Sequence, residues 1–145
     1  MKQVLFLCSG NYYRSRFAEI YFNWHAEQRG IGWRAESRGL KPDSRNAGPM
    51  SRYTAASLAG HGISWADYLR APLRVTEADF AAADRVIAVK EAEHRAMVDA
   101  YFPAWTSRVE YWHVHDIDCA TPAQALPHLE REVLGLLATL QAKAA

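Results

Sequence analysis

Two rhythms of apolar and polar positions alternate along this chain. Gln3 to Leu7 (QVLFL) is an almost unbroken apolar run that stops at Ser9-Gly10, the pattern of a strand buried on both faces. From Ser15 onward, Phe17, Ile20, Tyr21 and Trp24 recur at helical spacing until Gly30, which predicts a short loop and then a helix directly after that strand. Trp33 to Ser37 reads as a second strand. The turn-rich stretch RGLKPDSRNAGP follows, then a helix from Met50 to Ala59 entered through Ser51 and ended near Gly60 to Gly62. Thr76 and Asp79 offer a capping box ahead of Phe80. Arg85 to Val89 (RVIAV) reads as a third strand, Glu91 to Phe102 as a helix closed by Pro103, and Arg108 to Val114 (RVEYWHV) as a fourth strand. Leu126, Leu129, Val133, Leu136, Leu137 and Leu140 mark one face of a last helix, with Pro122 and Pro127 near its start.

Strands that alternate with helices imply right-handed crossovers and a doubly wound parallel sheet with helices on both faces. Sites in such sheets lie at the carboxyl ends of strands. That rule selects the loop that begins at Cys8 and the loop that holds HDIDC, His115 to Cys119, and predicts that both meet over one crevice. The chain has 145 residues, half of them hydrophobic, enough for one domain spanning residues 1–145. A net charge of +1 provides no general field for nucleic acid or an anionic membrane, so anion recognition has to be local. Cys8 and Cys119 form neither a dense disulfide framework nor the paired spacing of a zinc site. With short apolar runs and no signal-type segment, the expectation is a soluble cytoplasmic protein.

The stretch CSGNYYRS concentrates the chemistry. A loop of this length between a strand and a helix N-terminus curls so that backbone N–H groups point inward and form a nest for a tetrahedral anion. Gly10 suits a close turn, and Asn11 is the residue other than glycine that best tolerates a left-handed backbone. Arg14 offers a planar fork to two phosphate oxygens, which lysine cannot imitate. The same donors and the helix dipole favour a thiolate at Cys8, and Ser15 can donate one more hydrogen bond to the sulfur. Such a thiolate is a nucleophile aimed at phosphorus. No G-x-x-x-x-G-K-[ST] occurs, which excludes a nucleotide-type phosphate loop.

These residues resemble the low-molecular-weight protein tyrosine phosphatases, whose signature C-x-G-N-x-C-R-S follows the first strand. Cys8, Gly10, Asn11, Arg14 and Ser15 match it, and Tyr13 stands where the family has a second cysteine. ESRG at Glu36 to Gly39, TEADFAAADRVIAV and VHD at Val114 to Asp116 extend the likeness. The resemblance implies a flavodoxin-like fold, Cys8 as nucleophile, Arg14 as phosphate clamp and Asp116 as general acid. Ser9, Gly10, Asn11, Tyr12, Tyr13, Arg14 and Ser15 would form the phosphate-binding loop. It implies no cofactor and no metal, and His113, His115, Asp116, Asp118 and Cys119 match no established ligand spacing. Asp118 rivals Asp116 as the acid, because the family's D-P-Y becomes Asp116-Ile117-Asp118-Cys119. The family's aromatics are missing from residues 40–48 and from the acid loop, which leaves Tyr12, Tyr13 and Trp112 as candidates to rebuild an aromatic wall, Tyr12 and Trp112 foremost, with Tyr13 in the core if it points as the family's cysteine would. The implied activity is a cysteine-dependent phosphomonoesterase acting on aryl phosphates or a phosphotyrosine protein through a phosphocysteine. Two alternatives remain: a thiol-dependent arsenate reductase, which needs a resolving cysteine that only Cys119 can provide, and a silent phosphate-binding module.

Overall fold

Alternating burial along the first strand divides the core into two halves. In the computed structural model, which describes residues 1–144, β1 (Lys2–Cys8) sends Val4, Phe6 and Cys8 into one apolar cluster and Leu5 and Leu7 into the other. All five are buried, as a central strand covered on both faces requires. β2 (Trp33–Gly39), β3 (Arg85–Ala88) and β4 (Val109–Tyr111) complete a parallel sheet in the order β2-β1-β3-β4. This is the expected α/β, flavodoxin-like arrangement, with the order reversing at β1.

On the Phe6 face lie α1 (Arg14–Arg29), α2 (Arg52–Gly60) and α5 (Pro122–Ala144), which contribute Phe17, Phe22, Leu58, Leu129 and Leu137. Phe6 meets Phe22 edge-on at 5.9 Å between ring centroids. On the Leu5 face, α3 (Glu77–Ala82) and α4 (Glu91–Tyr101) bring Phe80 and Val98. The Thr76–Asp79 capping box forms as the sequence predicts, and Ser51 caps α2 by accepting from the Tyr53 N–H. Asn23 of α1 gives Ala35 of β2 both an acceptor, at 2.7 Å, and a donor, at 3.1 Å. The edge strand thereby gains partners that no neighbouring strand supplies.

β4 departs most from expectation. Instead of running from Arg108 to Val114, it covers Val109–Tyr111. Helix α4 ends at Tyr101, and Pro103–Arg108 winds into a 3-10 helix that uses up the approach to the strand. Past Tyr111 the chain leaves the regular ladder. The Trp112 N–H donates to Ala88 O, the Val114 N–H donates to Val89 O, and His113 bridges Lys90 in antiparallel sense. Residues 113–116 therefore fold over the end of β3 toward Cys8. Among the described residues no helix is long and apolar enough to cross a membrane.

Gly39 ends β2 where the loop after β1 rests on it. A Cβ there would stand 2.8 Å from Ser9 O and 3.0 Å from Asn11 N, both backbone atoms. Gly39→Ala must therefore displace the loop, and we expect a loss of about 1–3 kcal/mol in urea unfolding. An unchanged urea midpoint would show that the loop does not need this close approach.

Candidate functional site

The loop between β1 and α1 takes its shape from Asn11. Its φ of 51° is the only left-handed non-glycine backbone among the described residues, so the strained position falls on Asn11 and not on Gly10. The side chain is fully buried and fully used. Nδ2 donates to Ser15 Oγ at 3.0 Å and Ser37 Oγ at 2.9 Å, while Oδ1 accepts from Arg70 Nη1 at 2.9 Å and the Leu73 N–H at 3.0 Å. Ser37 Oγ donates in turn to Glu19 Oε1 at 2.6 Å, which also accepts from Arg16 Nη1 at 2.8 Å. Burial pushes the Glu19 carboxyl up, and Ser37, Arg16 and Arg70 pull against it.

The sulfur lies at the mouth of this network. Cys8 Sγ is 2.9 Å from Ser15 Oγ and accepts from the Asn11 N–H at 3.3 Å. Ser15 Oγ already accepts from Asn11, which leaves its own proton free for the sulfur. Helix α1 begins at Arg14 with no side-chain cap and no acidic residue in its first turn, so its own sequence does not neutralise the positive end of its dipole.

Arg14 joins the two sequence-selected loops. At 2% exposure its guanidinium donates from Nη1 to Val114 O at 3.0 Å and from Nη2 to Glu93 Oε2 at 2.9 Å. Asp116 Oδ2 stands 3.4 Å from the same Nη2. Glu93 also accepts from Ser9 Oγ. The fully buried His94 completes the cluster: its Nδ1 accepts from the Lys90 N–H at 3.1 Å, so the proton sits on Nε2, 3.0 Å from Glu93 Oε2 and 3.1 Å from Ser9 Oγ. Ser9, His94 and Glu93 therefore do not make a nucleophile triad, since an Nε2 that donates cannot take the serine proton. Burial works against charge on Glu93, but hydrogen bonds from His94, Arg14 and Ser9 outweigh it and hold the carboxyl far below the usual range.

Above the loop opens a crevice of about 720 Å³, lined by Cys8, Tyr12, Tyr13, Arg14, Tyr53 and Asp116 among others. Tyr12 lies along one wall and donates its hydroxyl to Ala47 O at 2.6 Å. Trp112 lies elsewhere: it packs on Phe6 at 5.6 Å and borders a separate groove with Arg85 and Arg131, which corrects its expected place in the wall. Sequence reading missed Tyr53, Ile117, Lys41 and Arg52, which do border the crevice. Tyr53 has no signal in the loop after β2, which holds no aromatic through residue 48, because the capped start of α2 carries it. Asp118 and Cys119 are exposed and outside the lining, and Cys119 Sγ accepts from Lys90 Nζ at 3.6 Å. Among the described residues, no group of three or more His, Cys, Asp or Glu is arranged to hold a metal ion.

Comparison with known proteins places this geometry in context. No curated protein sequence matches the chain. Among solved structures, YfkJ from Bacillus subtilis is 26% identical with a TM-score of 0.84, covering 99% of this chain and 96% of its own. The low molecular weight protein tyrosine phosphatase from T. tengcongensis is also 26% identical, with a TM-score of 0.78 and 99% of each chain covered. The YwlE arginine phosphatase from Geobacillus stearothermophilus shares the fold at 19% identity and a TM-score of 0.79, over 99% of this chain and 95% of its own. The family profile described as low molecular weight phosphotyrosine protein phosphatase matches residues 3–145. With that match over nearly its whole length, the chain belongs to the low molecular weight phosphotyrosine protein phosphatase family.

Proposed function

We propose that the protein is a cysteine-dependent phosphomonoesterase of aryl phosphates, including phosphotyrosine, in a reducing cytoplasmic setting. The observation that carries this reading is the meeting of a buried cysteine sulfur and a buried arginine fork, both on the loop after β1, with a crevice-lining carboxyl from the loop after β4. Cys8 attacks phosphorus in line, an S–P bond forms and the P–O bond to the leaving group breaks. Asp116 gives its proton to the departing oxygen. Water then attacks the phosphocysteine, Asp116 takes a proton from it, and phosphate leaves as the thiolate returns. The backbone N–H groups of residues 9 to 14 and the Arg14 fork bear the charge of the equatorial oxygens throughout.

Asp116 is preferred to Asp118 because it lines the crevice and touches Arg14, and Asp118 does neither. The substrate ring fits between Tyr12, Tyr53 and Ile117, which favours aryl over alkyl esters. Arsenate reduction is disfavoured by the position of the second thiol. Cys119 lies outside the crevice lining, beside Lys90, whereas Cys8 is buried within the nest.

Turnover of an aryl phosphate without added metal tests the reading. Cys8→Ser is expected to abolish it while phosphate still binds, because the amides and Arg14 survive. Arg14→Lys is expected to lower kcat about 100-fold and to weaken phosphate binding as well. Near-normal turnover by Cys8→Ser would eliminate the covalent route. The two aspartates separate on leaving group: Asp116→Asn slows phenyl phosphate about 100-fold or more and a nitrophenyl ester far less. Asp118→Asn leaves that ratio as it is, and the opposite ranking would move the acid to Asp118.

A further inference from the structure

Within the Cys8–Ser15 loop, one polar side chain ends without a partner. Ser9, Asn11, Tyr12, Arg14 and Ser15 all make side-chain hydrogen bonds, but the Tyr13 hydroxyl is closed off from solvent and makes none. The residue is 6% exposed, yet it lines the crevice together with Arg14, Tyr53 and Asp116. Tyr13 thus packs in the core cluster with Phe17 and borders the crevice at the same time. A buried hydroxyl without an acceptor in the protein is unfavourable, and phenylalanine would pack the same space without that cost. The hydroxyl makes sense in a state of the site where an acceptor arrives.

Two carboxylates line the crevice, Asp43 and Asp116. Asp43 is fully engaged by Arg45, whose Nε and Nη2 approach it at 3.0 and 2.7 Å. Asp116 is held loosely: Oδ1 accepts from the Ile117 N–H at 2.9 Å, but Oδ2 rests 3.4 Å from Arg14 Nη2, beyond the range of a strong charge-assisted bond. A phosphate dianion on Arg14 competes for that N–H and frees the Asp116 oxygen. The tyrosine already feels this carboxylate, since burial first and Asp116 second push its hydroxyl up to about 12. It therefore stays protonated and acts toward Asp116 only as a donor.

We infer that Tyr13 is a positioning residue for Asp116: its hydroxyl accompanies the exchange of partners at Arg14, donating to the Asp116 carboxyl once phosphate occupies the fork. One carboxyl oxygen accepts this bond, and the other faces the leaving oxygen and carries the transferred proton. The tyrosine keeps its own proton throughout. This inference rests on the role proposed above for Asp116, and it adds a residue that the family signature fills with cysteine.

The test compares wild type, Tyr13→Phe, Asp116→Asn and the double variant on aryl phosphates of graded leaving-group basicity, with inorganic phosphate as competitive inhibitor. Tyr13→Phe is expected to lose about tenfold more rate on phenyl phosphate than on a nitrophenyl ester, with the phosphate inhibition constant unchanged and thermal stability equal or higher. The double variant should be no more sensitive to leaving group than Asp116→Asn alone. If Asp116→Asn steepens the leaving-group dependence and Tyr13→Phe does not, the inference falls while the function stands. A phosphate inhibition constant that worsens in Tyr13→Phe in step with its rate would put the hydroxyl on the phosphate and overturn the inference. If Asp116→Asn itself leaves the dependence flat, the assignment of Asp116 and the role of Tyr13 fall together.

Discussion

A cation buried to 2% exposure governs the architecture of this site. A guanidinium withdrawn from water is tolerated only where acceptors replace its hydration, and removing those acceptors is strongly destabilising. Arg14 draws them from two elements: Glu93 in the first turn of α4, and Val114 O with Asp116 in the loop after β4. The loops after β1, β3 and β4 must converge for the charge to be met. The sheet order allows this, because β1 and β3 are neighbours at its centre and β4 lies next to β3. The group proposed to receive phosphate is also the tie that brings the loops of Cys8 and Asp116 together.

A second constraint shapes the floor. The left-handed backbone at Asn11 is unfavourable by itself and is held by four side-chain hydrogen bonds, with Arg70, Ser37 and Leu73 as partners outside the loop. Gly39 clears the space that this turn occupies. The loop is thus fixed from behind by α1 and β2 and from below by residues 70–73. Its donors toward the crevice face no acidic residue in the first turn of α1.

How far the sequence foretold this depends on how local each signal is. Cys8, Asn11, Arg14 and Ser15 lie within one strand-to-helix turn, so their spacing carried the chemistry without tertiary information. The approach of Asp116 followed from the rule that sites form at strand carboxyl ends. Glu93 and His94 escaped notice because EAEHR reads as the solvated face of a helix, and only the fold turns it under Arg14. Arg70 sits in an irregular segment with no periodicity to interpret. The alternation of RVEYWHV suits a longer strand than forms, and Trp112 takes the core side against Phe6 and away from the crevice. Tyr13 was legible as buried but not as unpartnered, since an orphaned hydroxyl exists only relative to its neighbours.

The central claim is that the Cys8 sulfur carries the phosphoryl group between substrate and water. Rapid acid quench of the Asp116→Asn protein during turnover of a nitrophenyl phosphate, followed by mass spectrometry of its peptides, tests it most directly. The account predicts one phosphoryl group on the peptide that contains Cys8, and none on the peptide that contains Cys119. Continued turnover without phosphorylated Cys8, or label on another residue, would contradict it.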